Sequence, residues 1–211
     1  MTSLATLLTL ADSRLPTGGH VHSGGVEEAV TSGLVADLPT LRAFLRRRIR
    51  THGLVTASLA AAVHAGMLSI PDADRETDAR TPAPAARLAS RAQGRGLARL
   101  ARRVWPGEEW EVLGTTPHLA VAAGAVGAAS GLTPDQTALS VVYTTMTGSA
   151  TAAQRLLALD PGDVAALTFE LSALCEQAAA EAAKELADLS DPLLDALAQR
   201  HSQRERPLFV S

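Results

Sequence analysis

Aromatic rings are scarce in this 211-residue chain: two tryptophans, one tyrosine and three phenylalanines make up 3% of it. Sheets draw heavily on aromatic and β-branched residues. A chain that is 46% hydrophobic with so few rings must therefore build its core from alanine, leucine and valine on closely packed helices. Cysteine is reduced to Cys175, which excludes an internal disulfide and fits a reducing cytosol. Set among alanines and leucines, that thiol reads as a buried, inert group. Lysine is reduced to Lys184, so no Gly-x-x-x-x-Gly-Lys-Ser/Thr phosphate cradle exists. A net charge of −3 argues against general nucleic-acid affinity. No apolar run has the unbroken length of a membrane span. The stretch Leu4–Ala11 has neither a preceding basic residue nor a cleavage pattern, so it does not read as a secretory signal. A Gly-x-Ser-x-Gly elbow is also missing, and no catalytic constellation stands out.

What is present is unusually clear helix punctuation. Thr116-Pro117, Thr133-Pro134, Asp160-Pro161 and Asp191-Pro192 each place a capping residue directly before proline. Proline at a first helical position forfeits no bond, because that amide is unpaired anyway. Thr133 with Gln136 matches a capping box, and Gly33, Gly66 and Gly131 stand where helices should stop. No stretch alternates with a period of two. The expected fold is all-α, a single domain over residues 1–211 with a small-residue core and about nine or ten helices.

Two helices carry arginine stripes. Leu38, Leu41, Leu45 and Ile49 share a face opposite Arg42, Arg46, Arg47 and Arg50. Further on, Arg87, Arg91, Arg95, Arg99 and Arg103, joined by Arg102, oppose Ala89, Leu97, Leu100, Ala101 and Val104. A solvated face is the plain reading; docking to an acidic protein surface is the sharper one. Between Glu111 and Asp160 only Asp135 and Arg155 are charged. The Gly/Ala-rich segment Leu119–Leu132 and the hydroxyl-rich helix after it should be buried on nearly all sides, in the core or at a dimer interface. Gly124 and Gly127 would allow close helix contact. Arg155 reads either as a helix C-terminal arginine meeting free carbonyls or as one held by a carboxylate.

Histidines and acids raise the question of metal. His20 and His22 form a His-x-His pair beside Asp12 and Glu27, and imidazole suits nickel, but a third fixed ligand is not evident. His52, His64, His118 and His201 show no obvious partners in sequence. The run Asp72, Asp74, Glu76, Asp78 lacks the glycine and glutamate of a calcium loop; it reads as a solvated helix start paired with Arg75 and Arg80.

The most distinctive segment is the junction Asp12–Glu28, DSRLPTGGHVHSGGVEE, with a glycine-rich part at residues 12–25. Pro16 and four glycines (Gly18, Gly19, Gly24, Gly25) interrupt the helical pattern, then an acidic pair opens a helix. Nothing ahead of it resembles a strand, so a dinucleotide fingerprint is excluded. Asp12, Ser13, Leu15, Pro16, Gly18, Gly19, Ser23, Gly25, Val26 and Glu27 together resemble the N-terminal signature of the urease accessory protein F family. His20 departs from it where the family usually has an aromatic ring, as Val26 does where leucine is usual. The stretch Ser149–Asp160 and the terminus RERPLFVS, residues 204–211, are also similar to the family, so the resemblance spans the whole chain.

That resemblance implies a cytoplasmic, non-enzymatic maturation chaperone. As a dimer, it would bridge the accessory protein D/H and the GTPase accessory protein G and support GTP-dependent nickel insertion into apo-urease. The GTPase would hold the nucleotide, and this chain would bind no cofactor directly. Partner contacts are expected from the junction (Asp12, Ser13, Leu15, Pro16, Gly18, Gly19, His20, Ser23, Gly25, Glu27), from Arg155, and from the tail (Arg204, Arg206, Leu208, Phe209, Ser211). Tails are usually frayed and polar, so an apolar Leu208-Phe209-Val210 end suggests either packing onto the body or a segment that orders on a partner. The alternative from another class is a dimeric all-helical transcription regulator, although such proteins place a helix-turn-helix where this chain has its glycine junction.

Overall fold

A computed structural model describes residues 4–189 and 191–211. Among the described residues there are ten α-helices and no strand. They are α1 (Leu4–Leu10), α2 (Val26–Thr31), α3 (Leu38–Arg48), α4 (Leu54–His64), α5 (Ile70–Ala79), α6 (Pro84–Val104), α7 (Leu119–Ala129), α8 (Pro134–Leu157), α9 (Pro161–Ala182) and α10 (Pro192–His201). Proline opens α8, α9 and α10 behind the caps Thr133, Asp160 and Asp191, and Thr133 with Gln136 closes the capping box. Gly33, Gly66 and Gly131 follow α2, α4 and α7 with positive φ. Thr116-Pro117 departs from the expected pattern: α7 starts at Leu119 with His118 as its N-cap, and Ser90 Oγ on α6 accepts from the free Leu119 N–H at 3.2 Å.

Helices α3 and α4 run on through a five-residue π segment, Ile49–Gly53, so the chain from Leu38 to His64 never leaves a helical conformation. The α4 stretch LVTASLAAAVH is buried almost throughout and packs against α7, α8 and α9. Helix α6 covers α7, while α10 lies against α2 and α6. Alanine and glycine permit this density. A methyl group on Gly124 would strike the Ala60 carbonyl and the Val63 side chain, and one on Gly127 would strike Thr137. The close contact expected at both glycines is therefore present. Gly94 and Gly96 on α6 make equivalent approaches to the backbone at Pro117–His118 and at Thr17.

Helix α7 is buried as expected, but α8 is not buried on nearly all sides. Val142, Met146, Ser149 and Ala153 face the core, whereas Tyr143, Thr151 and Arg155 are exposed on the opposite face. Beside this face Thr144 Oγ1 and Thr147 Oγ1 bond back to the preceding turn, to the Ser140 carbonyl at 2.8 Å and the Tyr143 carbonyl at 3.0 Å. Among the described residues, no helix is long and apolar enough to cross a membrane.

Candidate functional site

The glycine junction and the C-terminal tail meet. Gly24 and Gly25 both take left-handed φ (65° and 88°), a conformation glycine adopts without penalty. They turn the chain into α2 and expose the backbone just ahead of it. The tail crosses that backbone: Ser23 N donates to the Ser211 carbonyl at 2.5 Å, and Val210 N donates to the Val21 carbonyl at 2.7 Å. His22 Nδ1 lies 2.5 Å from Ser211 Oγ. Ser149 Oγ on α8 bonds to the Ser23 carbonyl, tying the junction to the core.

Glu27 organises this clasp. Its side chain is buried, and it accepts hydrogen bonds from Leu208 N (2.8 Å) and Phe209 N (3.0 Å), with His201 Nε2 at 2.8 Å. Arg204 spans Glu28 (3.1 Å), Thr31 (2.9 Å) and, at longer range, Glu27. Burial pushes the Glu27 carboxyl upward, but the bonds from Leu208, His201 and Phe209 outweigh it and leave the group below its ordinary value. Phe209 is then packed under the Arg155 guanidinium, 5.4 Å from ring centroid to Cζ, with only 7% of its surface exposed. Its neighbours point outward, Leu208 at 79% and Val210 at 68% exposure. Such apolar exposure on a firmly hydrogen-bonded segment is unusual.

The residues expected at the site therefore divide. Ser23, Gly25, Glu27, Arg204, Phe209 and Ser211 build the clasp from inside. His20, Leu208 and Arg206 stand exposed on or beside it. Asp12 is bonded by the side chain and backbone N–H of Arg14, which bring its carboxyl down to about 2. This loop turn leaves Ser13 and Pro16 outward, Leu15 packed on the core, and Gly18–Gly19 leading into a short 3₁₀ turn. Of its two readings, Arg155 follows the first in sitting in the last turn of α8; among the described residues an aromatic ring, not a carboxylate, lies against it.

Several histidines without evident sequence partners are partnered across the fold. His201 meets Glu27, His64 Nδ1 meets Thr137 Oγ1 at 2.8 Å, and buried His118 bridges Asp78 (2.9 Å) and Ser90 (3.0 Å). The acidic run lies on α5 and pairs Asp72 with Arg75 and Glu76 with Arg80, as the spacing suggests. Asp74 and Asp78 turn instead to Arg91, so part of the second arginine stripe serves an internal network; Arg95, Arg99, Arg102 and Arg103 remain exposed. Asp74, Asp78 and His118 bring their ligand atoms within 4.8 Å of one another, a spacing one metal ion could bridge. Arg91 already supplies the positive charge between both carboxylates, so the group is complete as an ion-paired network. His20 and His22 do not belong to it.

An all-helical protein with an alanine-rich core and a clasped, outward-facing tail is thus defined by its geometry. The family model described as UreF matches residues 35–172. Over all 211 residues the chain is 80% identical to the urease accessory protein UreF of Mycobacterium sp. (strain JLS), covering 100% of both chains. The corresponding protein of Mycolicibacterium vanbaalenii is also 80% identical, and that of Mycobacterium bovis (strain BCG / Pasteur 1173P2) is 74% identical, again over the full length of each. The chain belongs to the UreF family of urease accessory proteins. This membership replaces the transcription-regulator reading. Junction and tail lie outside residues 35–172, yet both fall within the whole-length similarity.

Proposed function

We propose that this chain acts in urease maturation as a non-catalytic scaffold, bridging the accessory protein D/H and the GTPase accessory protein G. In this reading a homodimer stands at the centre of their assembly in the cytoplasm, and nickel passes to apo-urease under GTP control, with the nucleotide held by the GTPase. Family membership supports the maturation role. The observation that carries the scaffold role is the clasp: a buried carboxylate fixes the tail backbone so that Leu208 and Val210 project outward from a hydrogen-bonded segment. An apolar pair presented this way offers a partner contact area whose ordering cost has already been met within the chain. Exposed Arg206 and the outer face of α8 around Tyr143 and Thr151 flank the chain as further contact candidates.

Deleting Pro207–Ser211 tests this. Capture of the D/H protein and the GTPase from a co-expressing strain should be lost while far-UV helicity is retained. Unchanged capture by the truncated chain refutes the tail's role.

A further inference from the structure

The scaffold role makes no use of Arg48. That residue ends α3 and lines a cavity of about 340 Å³, a volume within the usual range for small-molecule sites. Its Nε is wholly buried and makes no hydrogen bond. The guanidinium lies against the junction: a Cβ on Gly24 would stand 2.5 Å from Arg48 Nη2 and 2.9 Å from Ser149 Oγ. Glycine at that position is what admits the guanidinium there.

Asp191, the carboxylate whose charge acts on it, does not neutralise it. Asp191 is engaged by the Arg47 fork at 2.7–3.0 Å, by Thr51 Oγ1 at 2.9 Å and by Leu194 N at 3.3 Å, which leaves its lone pairs occupied. Asp191 attracts Arg48 only through space, and burial still brings the Arg48 pKa down to about 10. His52, on the same cavity wall, is held neutral: burial and the Arg48 charge push it down to about 3. Arg155 lines the cavity too, exposed and without a carboxylate among the described residues. Thr145 adds a hydroxyl. Buried cations are ordinarily paired, and a guanidinium's planar donors match the two oxygens of a carboxylate.

We infer that the cavity beneath the junction and tail is a binding site for a small carboxylate anion, with Arg48 as its principal cation and Arg155 as a second. A free ligand fits better than a partner's side chain, because the chain's own Phe209 and Ser211 line the same cavity.

Acetate is a suitable probe. Sodium acetate titrated into the full chain, against sodium chloride at matched ionic strength, should give saturable heat and raise the melting temperature. Amide resonances of Gly24 and Ser149 should shift in the unsubstituted protein. Arg48→Lys keeps the charge but loses the planar fork, and should weaken acetate by at least about tenfold; Arg155→Gln should weaken it less. Absence of saturable binding, shifts confined to other parts of the chain, or equal affinity in a folded Arg48→Lys protein would each overturn the assignment. Saturation by inorganic phosphate but not by acetate would overturn the carboxylate class.

Discussion

Replacing Glu27 by glutamine gives the sharpest test of the clasp. The substitution keeps volume and shape but swaps one acceptor oxygen for an NH₂ group. Both carboxylate oxygens are in use: Oε1 takes Leu208 N, while Oε2 takes Phe209 N and faces His201 Nε2. Whichever way the amide is turned, one tail N–H then meets a donor in a buried site. A hydrogen bond to a charged group contributes about 1.5–3 kcal/mol, and a stranded buried donor costs about 1–3 kcal/mol. His201 can recover part of this by accepting from the new NH₂ through its other tautomer. The expected loss is therefore about 2–4 kcal/mol, local to the tail because Glu27 ties residues 208 and 209 to α2. At 1.4 kcal/mol per factor of ten, hydrogen exchange at the Leu208 and Phe209 amides should speed up about 30- to 700-fold. Amides in α4 and α7, which touch neither group, should keep their protection. If the two tail amides exchange at the parental rate in Glu27→Gln, the carboxylate is not what holds the tail.

Acidification should destabilise the fold through His52. Its pKa lies near 3 in the fold, against 6.5 as the ordinary value, so below 6.5 the unfolded chain takes up a proton that the folded chain refuses. Stability contributed by the neutral ring is fully present above pH 6.5 and falls as pH drops toward 3, amounting to about 2 kcal/mol lost at pH 5. Urea titrations at pH 7 and pH 5 should show that the His52→Gln variant loses less stability between them than the parent; identical losses would refute the burial argument. Glycine substitutions should divide by site. Gly124→Ala drives a methyl group into the Ala60 carbonyl and should cost about 1–3 kcal/mol or more. Gly148→Ala, on α8 with nothing within 4 Å of the added carbon, should gain about 0.5–1 kcal/mol from helix propensity. Thermal melts of the two variants check the sign of each.

Much of the helical framework was legible because its signals are local. The Thr133, Asp160 and Asp191 caps with their prolines lie within one turn of the helices they start, and Gly33, Gly66 and Gly131 within one turn of those they end. The π segment at Ile49–Gly53 carried no such signal, and α3 and α4 are continuous where a break would be easy to draw. Thr116-Pro117 looked like a helix start, yet the start moved to His118, with the Leu119 N–H bonded to Ser90 on another helix. The site was legible as two segments, the junction and the tail, from their glycines and from the apolar chain end. Their union was not, since Glu27 and Leu208 are separated by 181 residues.

The sequence by itself determined an all-helical chain with an alanine-rich core and membership of the UreF family, because composition, capping and motif order are properties of neighbouring residues. Only the tertiary structure decided where the charges went. Arg47 closes on Asp191, Arg91 on Asp74 and Asp78, and His201 on Glu27, while Arg48 is left facing a cavity. Ion pairs and buried hydrogen bonds depend on distances of a few ångströms between remote parts of the chain. Residue order fixes those distances only through the packing of every helix between them.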